Sequence, residues 1–340
     1  MPARQPTANG KGERMLSFTE FTEELITDCK TVLRSEPGDS IEIEKGTVNK
    51  PQKGTLTGLR FIKEGNRVAP TLYAEDLYAR YTQGHPIDKI AHEAVESIMQ
   101  SFDISLPFPE DDFDLKDMVS DIRPRLLSKE RNHKIAETAP YMDVGGGLML
   151  IADVVRGDFR AMVTKEMMID SDITDDELFE IALDNVPEDE AVLFGLPDMI
   201  YTPPEERTEL LGAGRDGSAA EDFDVYILSN RDMFWGAAAL FYTGVMDRLR
   251  EMLGDFYVIP SSVHELLLLP VTADADPKNI SQMIWSANRS VVDEEEVLSD
   301  DLYICESDSL KIAVCGRPPG DTEPDSTDGS NEDNAACDLE

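Results

Sequence analysis

The sequence predicts an α+β fold of repeated helix, β-hairpin and helix units with mainly antiparallel sheet, followed by a disordered acidic tail. Three observations carry this. Stretches with apolar residues spaced i, i+3, i+4 alternate along the chain with short runs of period two. Those runs come in pairs joined by Gly, Pro, Asn or Asp turns, which favours antiparallel hairpins between helices over a doubly wound parallel sheet. Finally, the order strand, helix, hairpin, helix occurs twice, over about 122–185 and 223–289, with LLSKERN and ILSNRDM at like places. The N-terminal helix, hairpin and helix resemble a shortened third copy.

Each element follows from a local pattern. SFTEFTEELITDCKTVLRS sets Ser17 and Glu20 in capping-box spacing ahead of Phe21, Leu25, Cys29 and Val32 on one face, so a helix spans about 17–34. IEIEKGTVNKPQKGTLTGLRFI alternates and turns around Lys50, Pro51 and Gly54, a hairpin. Tyr73, Leu77 and Tyr81 mark a second helix before Gly84. Ile87, Ile90, Ala91, Ala94, Val95 and Ile98 mark a third. An acidic connector, SLPFPEDDFDLKD, precedes a strand at about 122–128, a short helix near 130–138, and LMLIADVVRGDFRAMVT as a hairpin turning at Gly157 and Asp158. Thr174 and Glu177 cap a helix ending near Asn185, and residues 201–222 form a second connector.

Beyond it, FDVYILS is a strand, Trp235 to Leu253 a helix closed by Gly254, and YVIP with HELLLLPV a strand pair. On HELLLLPV, Leu266 and Leu268 share one face and Leu267 and Leu269 the other, so this strand is expected to be covered on both sides. Asp276 caps and Pro277 begins a helix through Ala287, and DLYIC pairs with LKIAVC around Ser307 and Asp308. The expected units are 15–105, 116–200 and 223–315, between an N-terminal extension, 1–14, and a tail, 316–340, whose composition cannot repay the entropy of ordering.

Charge narrows the function classes. The chain carries 69 acidic and 31 basic residues, a formal −38. A body this acidic repels phosphate backbones and anionic membranes, so neither nucleic acid nor a membrane is an expected partner. An acidic mimic of DNA is an alternative use of the same charge. No window approaches the ~18 consecutive apolar residues of a membrane span, and the polar N-terminus lacks the apolar core of a secretory signal. Cys29, Cys305, Cys315 and Cys337 are far apart with no CxxC, which suits reduced thiols in a cytoplasm.

The stretch FYVIPSSVHELLLLPV holds the candidate catalytic residues. Ser262, His264 and Glu265, or Asp232 in place of Glu265, would serve a small serine-dependent hydrolase if they converged. Ser262 lacks the GxSxG elbow that exposes a nucleophile, so a turn with a half-buried histidine is the preferred reading. No metal site is expected: DSDITDDE, 170–177, starts like an EF-hand but has Asp175 for the glycine and Ile181 for the glutamate. His85, His92, His133 and His264 have no paired spacing, and GGG at 145–147 precedes a strand, so no cofactor is expected. Trp235, Trp285, Phe241, Tyr242 and Met283 are expected on core-facing helices.

NRDMFWGAAALFYTGVMDRLREMLGDFYVIPSSVHELLLLPV, NISQMIWSANRSVVDEEEVLSDDLYIC and APTLYAEDLYARYTQG together resemble a bacterial family, common in clostridial gut anaerobes, known only as a domain of unknown function. The resemblance covers about 15–315 and implies a bacterial cytoplasmic protein without adding a mechanism. The function expected from the sequence is therefore a non-catalytic protein acting through contacts with a protein partner.

Overall fold

The computed structural model describes residues 14–35, 41–63, 69–102, 114–157, 159–169, 171–187, 190–213, 224–260, 262–272, 275–305 and 312–314. The tail, all of the N-terminal extension but Arg14, the Ser307 and Asp308 turn, Asp158, Cys315 and Cys337 lie outside them. The chain divides into two compact units, Met1–Phe113 and Asp114–Glu340.

In the first unit, α1 (Phe18–Ser35) begins with the expected box: Ser17 N donates to Glu20 Oε2 at 2.9 Å and Glu20 N to Ser17 Oγ at 3.4 Å. The hairpin of β1 (Ile41–Lys50) and β2 (Gly54–Lys63) turns through 51–53, and β3 (Thr71–Tyr73) adds a third antiparallel strand. α2 (Ala74–Thr82) and α3 (Ile87–Phe102) follow. Phe21, Leu25 and Cys29 of α1 meet Leu59 and Phe61 of β2 and Ile90, Ala94 and Ile98 of α3 in one core. Two tyrosines of α2 hold the start of α1: Tyr78 donates to Leu16 O at 3.0 Å and Tyr81 Oη accepts from Leu16 N at 3.1 Å.

The second unit opens with a 3₁₀ segment, Leu115–Asp121, capped by Asp114. Then come β4 (Ile122–Ser128), α4 (His133–Thr138), β5 (Met142–Gly145), β6 (Leu148–Arg156) and β7 (Phe159–Met162). β6 is the centre of this sheet, with β4 antiparallel along one edge and with β5 and β7 pairing its first and second halves. Leu148 to Val154 are all buried, which explains the nearly unbroken apolar run of a strand covered on both faces. The GGG stretch is the β5–β6 turn, where Gly145, Gly146 and Gly147 have φ of 87°, 61° and 76°, a conformation that other residues rarely adopt.

α5 (Lys165–Met168) and α6 (Asp175–Asp184) lead to β8 (Ala191–Gly195), α7 (Leu196–Tyr201), a 3₁₀ turn at Pro204–Glu206 and α8 (Leu210–Ala213). After them come β9 (Tyr226–Asn230), a 3₁₀ segment at Gly236–Phe241, α9 (Val245–Leu253), β10 (Phe256–Ile259), β11 (Leu266–Pro270), α10 (Pro277–Asn288), β12 (Tyr303–Cys305) and β13 (Ile312–Val314). The second sheet has the order β13-β12-β10-β11-β9-β8. The expected connector at 201–222 thus lies between β8 and β9, neighbours in one sheet, and the stretches read as middle and C-terminal units share one compact unit. A polar Pro- and Gly-rich segment serves a surface connection within a domain as readily as a linker.

Other expectations are adjusted. The helix expected from Trp235 to Leu253 is interrupted at Tyr242–Gly244, where Thr and Gly favour helix poorly. On α10 the buried positions are Ser281, Ile284 and Asn288, so Met283 (71% exposed) and Trp285 (39%) lie outside that stripe rather than in the core. Leu266 and Leu268 of β11 are fully buried, whereas Leu267 and Leu269 are only half-buried against Tyr257, Ile259, Ile284 and Leu302. The repeated order does have a structural counterpart. β4 pairs β6, the second strand of the β5–β6 hairpin, just as β9 pairs β11, the second strand of the β10–β11 hairpin. The matching hairpin is β5–β6, which the sequence pattern hid behind its glycines, and not β6–β7.

Candidate functional site

The site is built on one polar position inside a strand whose first seven residues are all buried. Asp153 is the only charge in LMLIADVV of β6, and it is 2% exposed. β4 carries Arg123 and Arg125 two apart, hence on one face, and its register sets Arg123 opposite Asp153. Arg125 reaches across the diagonal: Nη2 donates to Asp153 Oδ1 at 3.0 Å. Its Nε lies 2.8 Å from Oδ2 at an angle too bent for a hydrogen bond, so that contact is coulombic. Burial pushes the Asp153 carboxyl up and pulls the Arg125 guanidinium down, and each charge opposes the other's shift. The guanidinium stays protonated and so favours the carboxylate form of Asp153.

Above this pair sits the loop that follows β9. Asn230 closes it, accepting from Phe234 N at 3.1 Å through Oδ1 and donating to Phe234 O at 2.9 Å through Nδ2. Within the loop Met233 and Trp235 have φ of 51° and 54°, a left-handed backbone that is uncommon for such bulky residues. Next comes Gly236, where a Cβ would stand 2.1 Å from Ser229 Oγ and 2.5 Å from Asn230 N; no side chain fits there. The Arg125 guanidinium lies 4.0 Å from the Trp235 ring, and Arg160 of β7 lies 5.0 Å from the Phe234 ring and 5.7 Å from that of Trp235.

Asp153, Arg160, Phe234 and Trp235 line a cleft of about 360 Å³ that also takes in Arg123, Glu190, Asn230, Arg231, Asp232 and Tyr242. Burial pushes the Tyr242 phenol up to about 12, against a hydrogen bond with Asn230, so it remains a neutral hydroxyl. Arg123 donates to Ser120 O and Ile122 O at 2.8 and 2.9 Å, and Arg160 to Gly157 O at 3.3 Å. Neither makes an ion pair among the described residues. A second depression, about 610 Å³ beside α10, is walled largely by apolar side chains such as Tyr226, Leu269, Ile280 and Met283.

The residues proposed from the sequence for a hydrolase behave as a brace for this loop. Ser262 is buried, and its hydroxyl accepts from His264 N at 3.0 Å, a local turn bond to the backbone. His264 O accepts from Ser229 Oγ at 2.7 Å, and its Nδ1 accepts from Trp235 N at 3.1 Å. With Nδ1 accepting, the neutral ring carries its proton on Nε2, which lies 3.6 Å from Glu296 Oε1. The ring also packs 5.1 Å from Phe234. Glu265 is partly buried and its carboxyl is raised, chiefly by desolvation. Asp232 stands on the cleft instead, near Tyr242. Ser262 and His264 are thus joined through the backbone, with the imidazole engaged by Trp235.

Elsewhere, DSDITDDE starts α6: Thr174 and Glu177 form the capping box, and Asp172 pairs with Lys116 at 2.8 Å. Among the described residues no group of three His, Cys, Asp or Glu is placed to hold a metal ion, and no helix is long and apolar enough to cross a membrane. Cys29 and Cys305 are buried free thiols, each pushed up to about 12 by burial.

The sequence reading missed Arg125, Asp153 and Arg160. The available signal was an aspartate in an apolar strand beside a neighbouring strand reading RPR, since a buried charge demands a partner. No curated protein and no solved structure matches the chain significantly. One family model does, over residues 18–307, and by that match the chain belongs to DUF5688, a family of unknown function.

Proposed function

We propose that the second unit is a non-catalytic binding module and that the arginine- and aromatic-lined cleft receives its ligand. One observation carries this reading. In a chain where acidic residues outnumber basic ones 69 to 31, Arg123 and Arg160 line a cleft with no carboxylate at ion-pair distance from either among the described residues, although Arg160 acts on Asp153 from further off. The Arg160 guanidinium lies over Phe234 and Trp235, at 5.0 and 5.7 Å, with donors left to face an oxyanion such as a carboxylate or phosphate. The volume is that of a small-ligand site. The left-handed backbone at Met233 and Trp235 costs about 1–3 kcal/mol per residue and stands at this rim, as retained strain does at binding sites.

The protein contact expected from the sequence takes a narrower form here, a ligand-sized group that is either free or displayed by a partner. Two buried free thiols support a reducing compartment such as the cytoplasm. Trp285 is the only other tryptophan, so a Trp285→Phe chain reports on Trp235 alone. Titration at fixed ionic strength with benzoate, acetate and inorganic phosphate should change Trp235 emission saturably for at least one of them, and Arg160→Ala should abolish the change. A response indifferent to Arg160→Ala, or no saturable response either to these three anions or to a carboxylate that also carries an ammonium, such as an amino acid, overturns the assignment.

A further inference from the structure

The cleft is lined by charges of both signs. Among the described residues Arg123 and Arg160 face it without ion-pair partners, and so do two exposed carboxylates, Glu190 and Asp232, while Arg231 and the buried Asp153 also line it. Arg123, Glu190 and Asp232 line the same cleft as the Tyr242 phenol. The ligand that best complements such a lining is constrained by charge. A phosphate monoester, near −2 at neutral pH, would gain from the arginines but be repelled by both carboxylates. A simple monoanion would leave Glu190 and Asp232 unused. A molecule with one carboxylate and one ammonium a few atoms apart satisfies both sets. Phe234, 40% exposed at the rim, adds an apolar surface.

Resting on the binding reading above, we propose that the cleft binds a zwitterionic α-amino acid or short peptide, its carboxylate on Arg160 and Arg123 and its ammonium toward Glu190 and Asp232. An apolar side chain of the ligand lies against Phe234. The neutral Tyr242 hydroxyl and the Asn230 amide, both at the cleft, are uncharged groups that do not favour either end.

The test uses the full chain with Trp285→Phe, followed by calorimetry and Trp235 emission, with L-phenylalanine, glycyl-L-phenylalanine, N-acetyl-L-phenylalanine and L-phenylalaninamide as probes. One or both zwitterions should bind, and blocking either the amine or the carboxylate should weaken binding by about tenfold or more, as loss of a charge-assisted contact does. Tighter binding of the dipeptide assigns a peptide source, tighter binding of the amino acid a free one, and either order upholds the proposal. Glu190→Gln with Asp232→Asn should erase the preference for a free amine while leaving the melting temperature unchanged. If N-acetyl-L-phenylalanine binds as well as L-phenylalanine, the zwitterion is overturned while carboxylate binding stands. If the amide binds equally well, the placement of the carboxylate is overturned. Silence from all four probes together with benzoate, acetate and phosphate removes the binding reading itself.

Discussion

Arg125 and Asp153 occupy the costliest positions in the second unit. Two charges nearly out of water lose several kcal/mol of hydration each, and their attraction repays this only when both are present. Arg125→Met should therefore cost about 3–5 kcal/mol by leaving Asp153 buried and uncompensated. Arg125→Met with Asp153→Leu should recover most of that loss, because the hydration debt disappears with the charges. Urea unfolding of the two single variants and the double variant measures the cycle. Additive losses in the double variant would show that the pair is not a coupled unit. The double variant should also disturb Trp235 emission, since the guanidinium stacked 4.0 Å from the indole is gone.

At the level of elements, several carboxylates accept from backbone N–H groups that helices and strands leave over. Glu75 accepts from Thr57 N at 2.9 and 3.0 Å, and Glu209 from Leu193 N on β8, the edge of its sheet, at 3.1 Å and from Leu211 N at 2.7 Å. Glu20 and Glu177 close capping boxes. The Glu177 carboxyl is held below its usual 4.5 by hydrogen bonds from the Thr174 backbone and side chain. A lowered folded value means the stabilisation is complete above 4.5 and fades as pH falls through that lower value. Glu177→Ala should lower the melting temperature at pH 7, and the gap to wild type should close as pH drops toward 3. Thermal melts by circular dichroism across that range check it, and a gap independent of pH would mean that the carboxylate's charge plays no part.

At the scale of the molecule, each unit has a core drawn from its own residues. Phe21, Leu25, Phe61, Ile90 and Ile98 all belong to the first unit. A fragment of residues 14–113 should accordingly unfold cooperatively on its own, with near-ultraviolet circular dichroism retained. A fragment that keeps helical signal, binds a hydrophobic dye and melts without a transition would show that its core is incomplete. The same test fails by design for a cut at 201–222, since it would part β8 from β9 within one sheet.

While the brief helices α5, α7 and α8 escaped it, the sequence by itself determined the α+β class, the longer helices and four of the hairpin pairings. These rest on local physics: apolar period, caps such as Thr174 with Glu177, and turns such as that before Gly54. It also placed Ser262 in a turn, because serine beside proline satisfies nearby backbone. Short strands such as β3, β5 and β8 escaped it, being too brief to show a period and stabilised mainly by partners distant in sequence. The cleft escaped it for the same reason. Arg125 meets Asp153 across 28 residues, and Trp235 meets His264 across 29, through strand registers that no local pattern encodes. Only tertiary structure could decide that His264 braces a loop and that Arg123 and Arg160, without ion pairs among the described residues, face one cavity, because side-chain direction on a strand is fixed by the register of its neighbours.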